Sequence, residues 1–204
     1  MAVPPSAQVL MGAGDLSTHP DRMRWNAKYE AAGEPRFAPH PLVDWALVAD
    51  VPTGPVLDLA CGPSGSALRL AAEGRAVTAI DVSEVALRLL QDEARRRGVD
   101  GLVTTVQADL SSWRPSPTEK YAIVLCTGFW YEQVFLRAIE AVRPSGLVLW
   151  EAFTAEARRR RPSLPAEWCL AEDEPAALLP DNFSVLLQQD LPDQGKRRFV
   201  ARAE

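Results

Sequence analysis

The sequence predicts an α/β fold, a seven-stranded mixed sheet with helices on both faces that ends in a C-terminal antiparallel hairpin. Five apolar runs, PVLDLA, AVTAID, LVTTVQAD, YAIVLCT and LVLWEAF, follow one another from Pro55 to Phe153. Helical patterns separate them at residues 65–73, 84–97 and 131–142, and such alternation is the signature of parallel strands sandwiched by helices. The last two runs, NFSVLLQQD and KRRFVARAE, flank the turn-like LPDQG. That spacing leaves no room for a crossover, so they pair as an antiparallel hairpin.

Element by element, residues 1–17 are small, Pro-containing and aperiodic, and are expected to form a flexible tail ahead of one domain over 18–204. THPDRMRWNAKYEAA opens with Thr18 as a capping residue, Pro20 in a tolerant first turn and Asp21 three residues on, predicting a helix over about 18–32. A second helix is expected around Leu42 to Ala49, ended by the Pro and Gly ahead of the first strand. The helix from Glu84 is well marked: Ser83 to cap it, Arg95 to Arg97 at its negative end, and Gly98 for the left-handed stop.

A length of 204 residues suits one domain with its own core. Three cysteines, Cys61, Cys126 and Cys169, lie far apart with no paired spacing, so neither a disulfide framework nor a metal site is expected, and the chain reads as cytoplasmic. The N-terminus lacks a signal-peptide pattern, and no run of about eighteen apolar residues occurs. A net charge of −5 disfavours nucleic acid as a partner and leaves a small molecule. The run RRRR at Arg158 to Arg161 is either a solvated loop or a contact for an anionic substrate or partner. Oligomeric state leaves no trace in the sequence.

The chemistry gathers at the carboxyl ends of the strands, where ligands of α/β sheets bind. Asp58 ends the first strand and is followed by Ala60, Gly62 and Gly65, small enough for a ligand to approach the backbone. The second strand ends in Asp81, placed to accept both hydroxyls of a ribose. The third ends in QADL, which puts Asp109 where it accepts from the exocyclic amine of adenine. Successive carboxylates repel a pyrophosphate but suit a nucleoside cofactor that carries an amine and a sulfonium.

In order and spacing, VLDLACGPSG, AIDVS, QADL, YAIVLCTGFW and AVRPSGLVLWEAF resemble the motifs of the class I S-adenosylmethionine-dependent methyltransferases. The resemblance runs from about Arg24 to the C-terminus. RWNAKY and the segment after the fourth strand are similar to the bacterial small-molecule type, the tellurite-resistance and thiopurine-methyltransferase-like group. It implies a Rossmann-like fold, S-adenosyl-L-methionine as cofactor, and in-line methyl transfer to a small-molecule acceptor. A non-catalytic S-adenosylmethionine-binding subunit or sensor is the alternative. Three positions depart from the family pattern: Ala60 stands for its first glycine, Ser64 for a later one, with Gly65 one place late, and Ser145 for the glycine typical of the RPSG turn.

The resemblance also implies a cofactor set of Arg24, Trp25, Tyr29, Asp58, Ala60, Gly62, Asp81, Val82, Asp109, Leu110 and Cys126. Trp25 and Tyr29 share one helix face, either packing on the sheet or forming a lid over the sulfonium. Arg24 or Lys28 would meet the cofactor carboxylate, or else form exposed salt links. Acceptor candidates are Phe129, Trp130 and Tyr131 as aromatic anchors or core, Glu151 to orient a polar group, and His40 as a general base or a loop residue. Cys61 has no histidine at triad spacing and reads as a packing residue.

Overall fold

A computed structural model of the chain describes residues 15–204. The expected tail therefore lies outside the described residues except for 15–17. Helices α1 (Pro20–Ala31) and α2 (Pro41–Val48) precede the sheet. The chain then runs through β1 (Val56–Leu59), α3 (Gly65–Ala72), β2 (Val77–Asp81), α4 (Glu84–Arg96), β3 (Val103–Gln107), β4 (Tyr121–Thr127), α5 (Glu132–Glu140) and β5 (Val142–Thr154). It closes with α6 (Ala157–Arg160), β6 (Cys169–Leu170), β7 (Phe183–Leu191) and β8 (Lys196–Ala203).

The strand order is β3-β2-β1-β4-β5-β8-β7, with β6 pairing the end of β5 from outside this path. β1 to β5 pair in parallel, and β8 enters antiparallel between β5 and β7. The expected seven strands and hairpin are present, and the two-residue β6 is an addition, too short to carry any apolar period.

Burial follows from the strand pattern. Val56, Ile123, Leu125, Leu147 and Leu149 face α2, α3 and α4, while Leu57, Val124, Val148 and Trp150 face α5. Every residue of β1 is buried, as a central parallel strand requires.

Two local expectations are corrected. His19, not Thr18, precedes the first turn of α1, and it makes no side-chain cap; Pro20 at the first helical position needs none for its missing N–H. β5 begins at Val142 rather than Leu147, because a register shift between Tyr121 and Ile123 absorbs the RPS segment. Ser145 there has φ +61°, the left-handed turn that the family glycine would adopt without strain.

Candidate functional site

The turn after β1 is built by its own hydrogen bonds. Ala60 and Gly62 have φ +48° and +56°, which reverses the chain at the end of the strand. Asp81, 6% exposed, fixes the turn: one carboxylate oxygen accepts from the Gly62 amide at 2.8 Å and the other from the Ser83 amide at 2.8 Å. Asp58 and Asp81 thus stand at neighbouring strand ends, joined by the glycine turn.

Ser64 resolves the departure from the family pattern. Its hydroxyl donates to Asp58 at 2.6 Å and accepts from the Ala67 amide at 2.9 Å, so it caps α3 and positions Asp58 together. Gly65 is small for a different reason than ligand access. A Cβ there would collide with the backbone of Phe37 and Ala38, which lies against the start of α3.

Two buried carboxylates without a cation beside them set the electrostatics. Burial pushes Asp58 up to about 7, with the Ser64 hydrogen bond opposing and the Asp81 charge adding to the rise. Burial also raises Asp81, against the amides of Ser83, Gly62 and Val82. Among the described residues neither carboxylate forms an ion pair. Both oxygens of Asp81 keep a second lone pair beyond the amide bond each already accepts. These acceptor oxygens fit a ligand that brings hydroxyls and a positive charge, and resist a pyrophosphate.

The segment 19–40 lies along the carboxyl edge of the sheet. His19 approaches Asp109 at 3.8 Å, and Arg22 makes a bidentate ion pair with Glu84 at the start of α4. The Ser83 hydroxyl donates to Asn26 at 2.6 Å, and a Cβ on Gly62 would meet the Tyr29 hydroxyl at 2.7 Å. Trp25 stacks on Tyr29 with ring centres 5.8 Å apart. Arg24 pairs with Asp21 at 2.9 Å and lies over the rings of Trp25 and Trp168.

At the third strand, Asp109 is occupied locally: its carboxylate accepts from the amide and the hydroxyl of Ser111. The side chain of Leu110 is buried in the core on the α5 side, and the Val82 carbonyl accepts from Gln107 at 3.0 Å. Cys126 is fully buried in the same core.

The candidate acceptor residues are dispersed by the fold. Trp130 is core, packed on Phe135 and edge-on to Trp150, and Trp150 donates from its indole to the Phe129 carbonyl at 2.9 Å. Tyr131 is 41% exposed at the start of α5. His40 is engaged at both ring nitrogens: Nδ1 accepts from the Leu42 amide at 3.3 Å and Nε2 lies 3.0 Å from Glu151. It is therefore a cap and a carboxylate partner rather than a free base.

Glu151, 1% exposed, also binds Lys196 at 2.6 Å and Arg198 at 2.8 Å. Burial alone would raise its carboxyl, but the hydrogen bonds from His40, Lys196 and Arg198 outweigh it and hold the group well below the usual carboxylate range. With its oxygens so occupied, Glu151 orders side chains of this chain rather than an acceptor. Lys196 and Arg198 escaped sequence reading, although their alternation on the last strand with Glu151 opposite was a usable signal.

The methyltransferase-domain family profile matches residues 56–146, from β1 into β5. Over that stretch the chain is similar to a methyltransferase domain. No curated protein matches the chain.

Solved structures share this fold at low identity. One, from work on converting a disulfide bond into a thioacetal group during echinomycin biosynthesis, is 21% identical over 90% of this chain and 93% of its own, with TM-score 0.64. TehB from Haemophilus influenzae is 19% identical over 88% of this chain and 67% of its own, with TM-score 0.66. Magnesium protoporphyrin IX methyltransferase from Synechocystis PCC 6803, solved with bound S-adenosylhomocysteine, is 16% identical over 90% and 86%, with TM-score 0.63. Among the described residues, no helix is long and apolar enough to cross a membrane, and no group of His, Cys, Asp and Glu side chains could hold a metal ion.

Proposed function

We propose that the chain is an S-adenosylmethionine-dependent methyltransferase of a small-molecule acceptor, built as one domain over 18–204. The observation that carries the reading is the Gly62–Asp81 link, which holds a ribose-type carboxylate against a glycine turn. S-adenosylmethionine supplies a methyl group on a sulfonium. Asp81 accepts from the ribose hydroxyls, Asp58 faces the ammonium end beside Ala60 and Gly62, and Val82, Asp109 and Leu110 border the adenine. Arg24, Trp25 and Tyr29 of α1 cover the site, and Cys126 contributes backbone from the end of β4.

In the transfer, the acceptor's nucleophilic atom bonds to the methyl carbon as the carbon–sulfur bond breaks. The electron pair stays on sulfur, and any proton on the acceptor leaves to solvent. The protein aligns the two reactants and excludes water, which suffices for so good a leaving group.

Calorimetric titration with S-adenosylmethionine, S-adenosylhomocysteine and NAD tests the reading. The first two bind and NAD does not. Asp81→Ala loses about 1.5–3 kcal/mol of affinity for S-adenosylhomocysteine, the range for hydrogen bonds to a charged acceptor, whereas Cys61→Ala changes it little. Unaltered binding by Asp81→Ala would sink the assignment.

A further inference from the structure

Cations collect beside this site in a chain whose net charge is −5. Phe153, two residues past Glu151 on the same face of β5, has Arg161 at 5.3 Å and Lys196 at 5.8 Å from its ring centre. These three line a hollow of about 380 Å3, together with Ala157, Arg160, Asp193 and Gln194. Lys28 of α1 lies 4.0 Å from the centre of the Trp25 ring.

The arginine run that opens this region divides in two. Arg158 donates to the Leu164 carbonyl, Arg159 pairs with Glu156, and Arg160 donates to the Asp193 carbonyl. Arg161 alone turns onto Phe153. Among the described residues neither Arg161 nor Lys28 forms an ion pair, while Lys196 and Arg198 together exceed by one charge the Glu151 they share. Partial burial and the charges of Arg161 and Arg24 depress Lys28. Like charges held together cost free energy that a bound anion returns.

Resting on the methyltransferase reading above, we propose that the acceptor is an organic carboxylate with an apolar body. Arg161 grips the carboxylate with Lys196 beside it, and the ring of Phe153 takes the apolar part. A carboxylate clamped by a guanidinium has its lone pairs engaged. It is the handle that orients the acceptor, and a different atom of the acceptor receives the methyl. Among the described residues Asp193 is the one carboxylate lining the hollow, against three cations, so the balance there remains positive.

The test uses 1-naphthoate, its neutral isostere 1-naphthamide and the cation 1-naphthylmethylamine, titrated into the full chain with and without saturating S-adenosylhomocysteine. Naphthoate is expected to bind at least tenfold tighter than the amide. Arg161→Gln removes most of that preference while S-adenosylhomocysteine binding holds, and Arg161→Glu turns it toward the amine. Equal binding of naphthoate and naphthamide overturns the proposal. So does an Arg161→Gln variant that loses S-adenosylhomocysteine rather than naphthoate, since the cation would then serve the cofactor's own carboxylate. Failure of naphthoate with S-adenosylhomocysteine still bound removes the acceptor class alone, whereas failure of S-adenosylhomocysteine removes the cofactor reading and the proposal with it.

Discussion

Asp58→Asn separates the stability of this fold from its function. Asp58 is 2% exposed, and burial lifts its carboxyl from the ordinary 3.8 to about 7. A carboxyl with a raised folded pKa contributes stability that is fully present below the unfolded value and is lost as pH climbs through the folded one. At about 1.4 kcal/mol per pH unit the whole loss is roughly 4 kcal/mol, of which about 2–3 kcal/mol falls between pH 5 and pH 8. Asparagine keeps an acceptor for the Ser64 hydroxyl but has no charge to desolvate. Urea unfolding of the ligand-free protein at pH 5 and pH 8 should therefore show the variant gaining about 2–3 kcal/mol on the parent over that interval. The same substitution weakens S-adenosylhomocysteine binding if Asp58 faces the ammonium group. A stability difference between variant and parent that stays constant across pH 5 to 8 would refute the argument, because only an ionising Asp58 gives it a slope.

Other substitutions probe the supports of the site. Ser64→Ala removes a helix cap and the hydrogen bond to Asp58, and should cost about 1–3 kcal/mol in denaturant unfolding; no loss would mean that the bond is not made. Gly65→Ala would ordinarily favour a helix, but the collision with Phe37 and Ala38 should destabilise the protein by about 1–3 kcal/mol, and a raised melting temperature would contradict the packing described. Glu151→Gln strands Lys196 and Arg198 and should cost about 3 kcal/mol near pH 7. Because the carboxyl of Glu151 is held low, that contribution is present above the ordinary value of 4.5 and fades as pH falls below it, so variant and parent should converge in acid; parallel pH profiles would count against it.

The strands and their main connections were readable because each central strand is a short apolar run, and that pattern survives any detail of packing. The Asp58, Gly62 and Asp81 constellation was equally readable, since strand-end positions follow once the strands are placed. What escaped was tertiary. Nothing local in Arg22, Asn26 or Phe37 tells that they meet Glu84, Ser83 and Gly65 from tens of residues away. Ser64 looked like a missing glycine because its value lies in two partners, one in β1 and one in α3. Trp130 was balanced between pocket and core, and the facing Trp150 and Phe135 settle it as core. The short β6 and the early start of β5 depend on pairing registers that a single segment does not encode.

Because Arg22, Asn26, Tyr29 and Phe37 bond to or pack on the carboxyl edge, the 19–40 segment holds contacts that a ligand settling beneath it would have to replace. Any ligand that settles beneath it exchanges contacts with this internal occupant, so a measured affinity is a difference between two sets of interactions. Its dissociation rate then reports how fast the segment lifts as much as how well the ligand fits. Substitutions far from the strand ends, at Arg22 or Glu84, would shift that balance through the occupant alone, changing residence time while leaving every ligand-facing side chain in place.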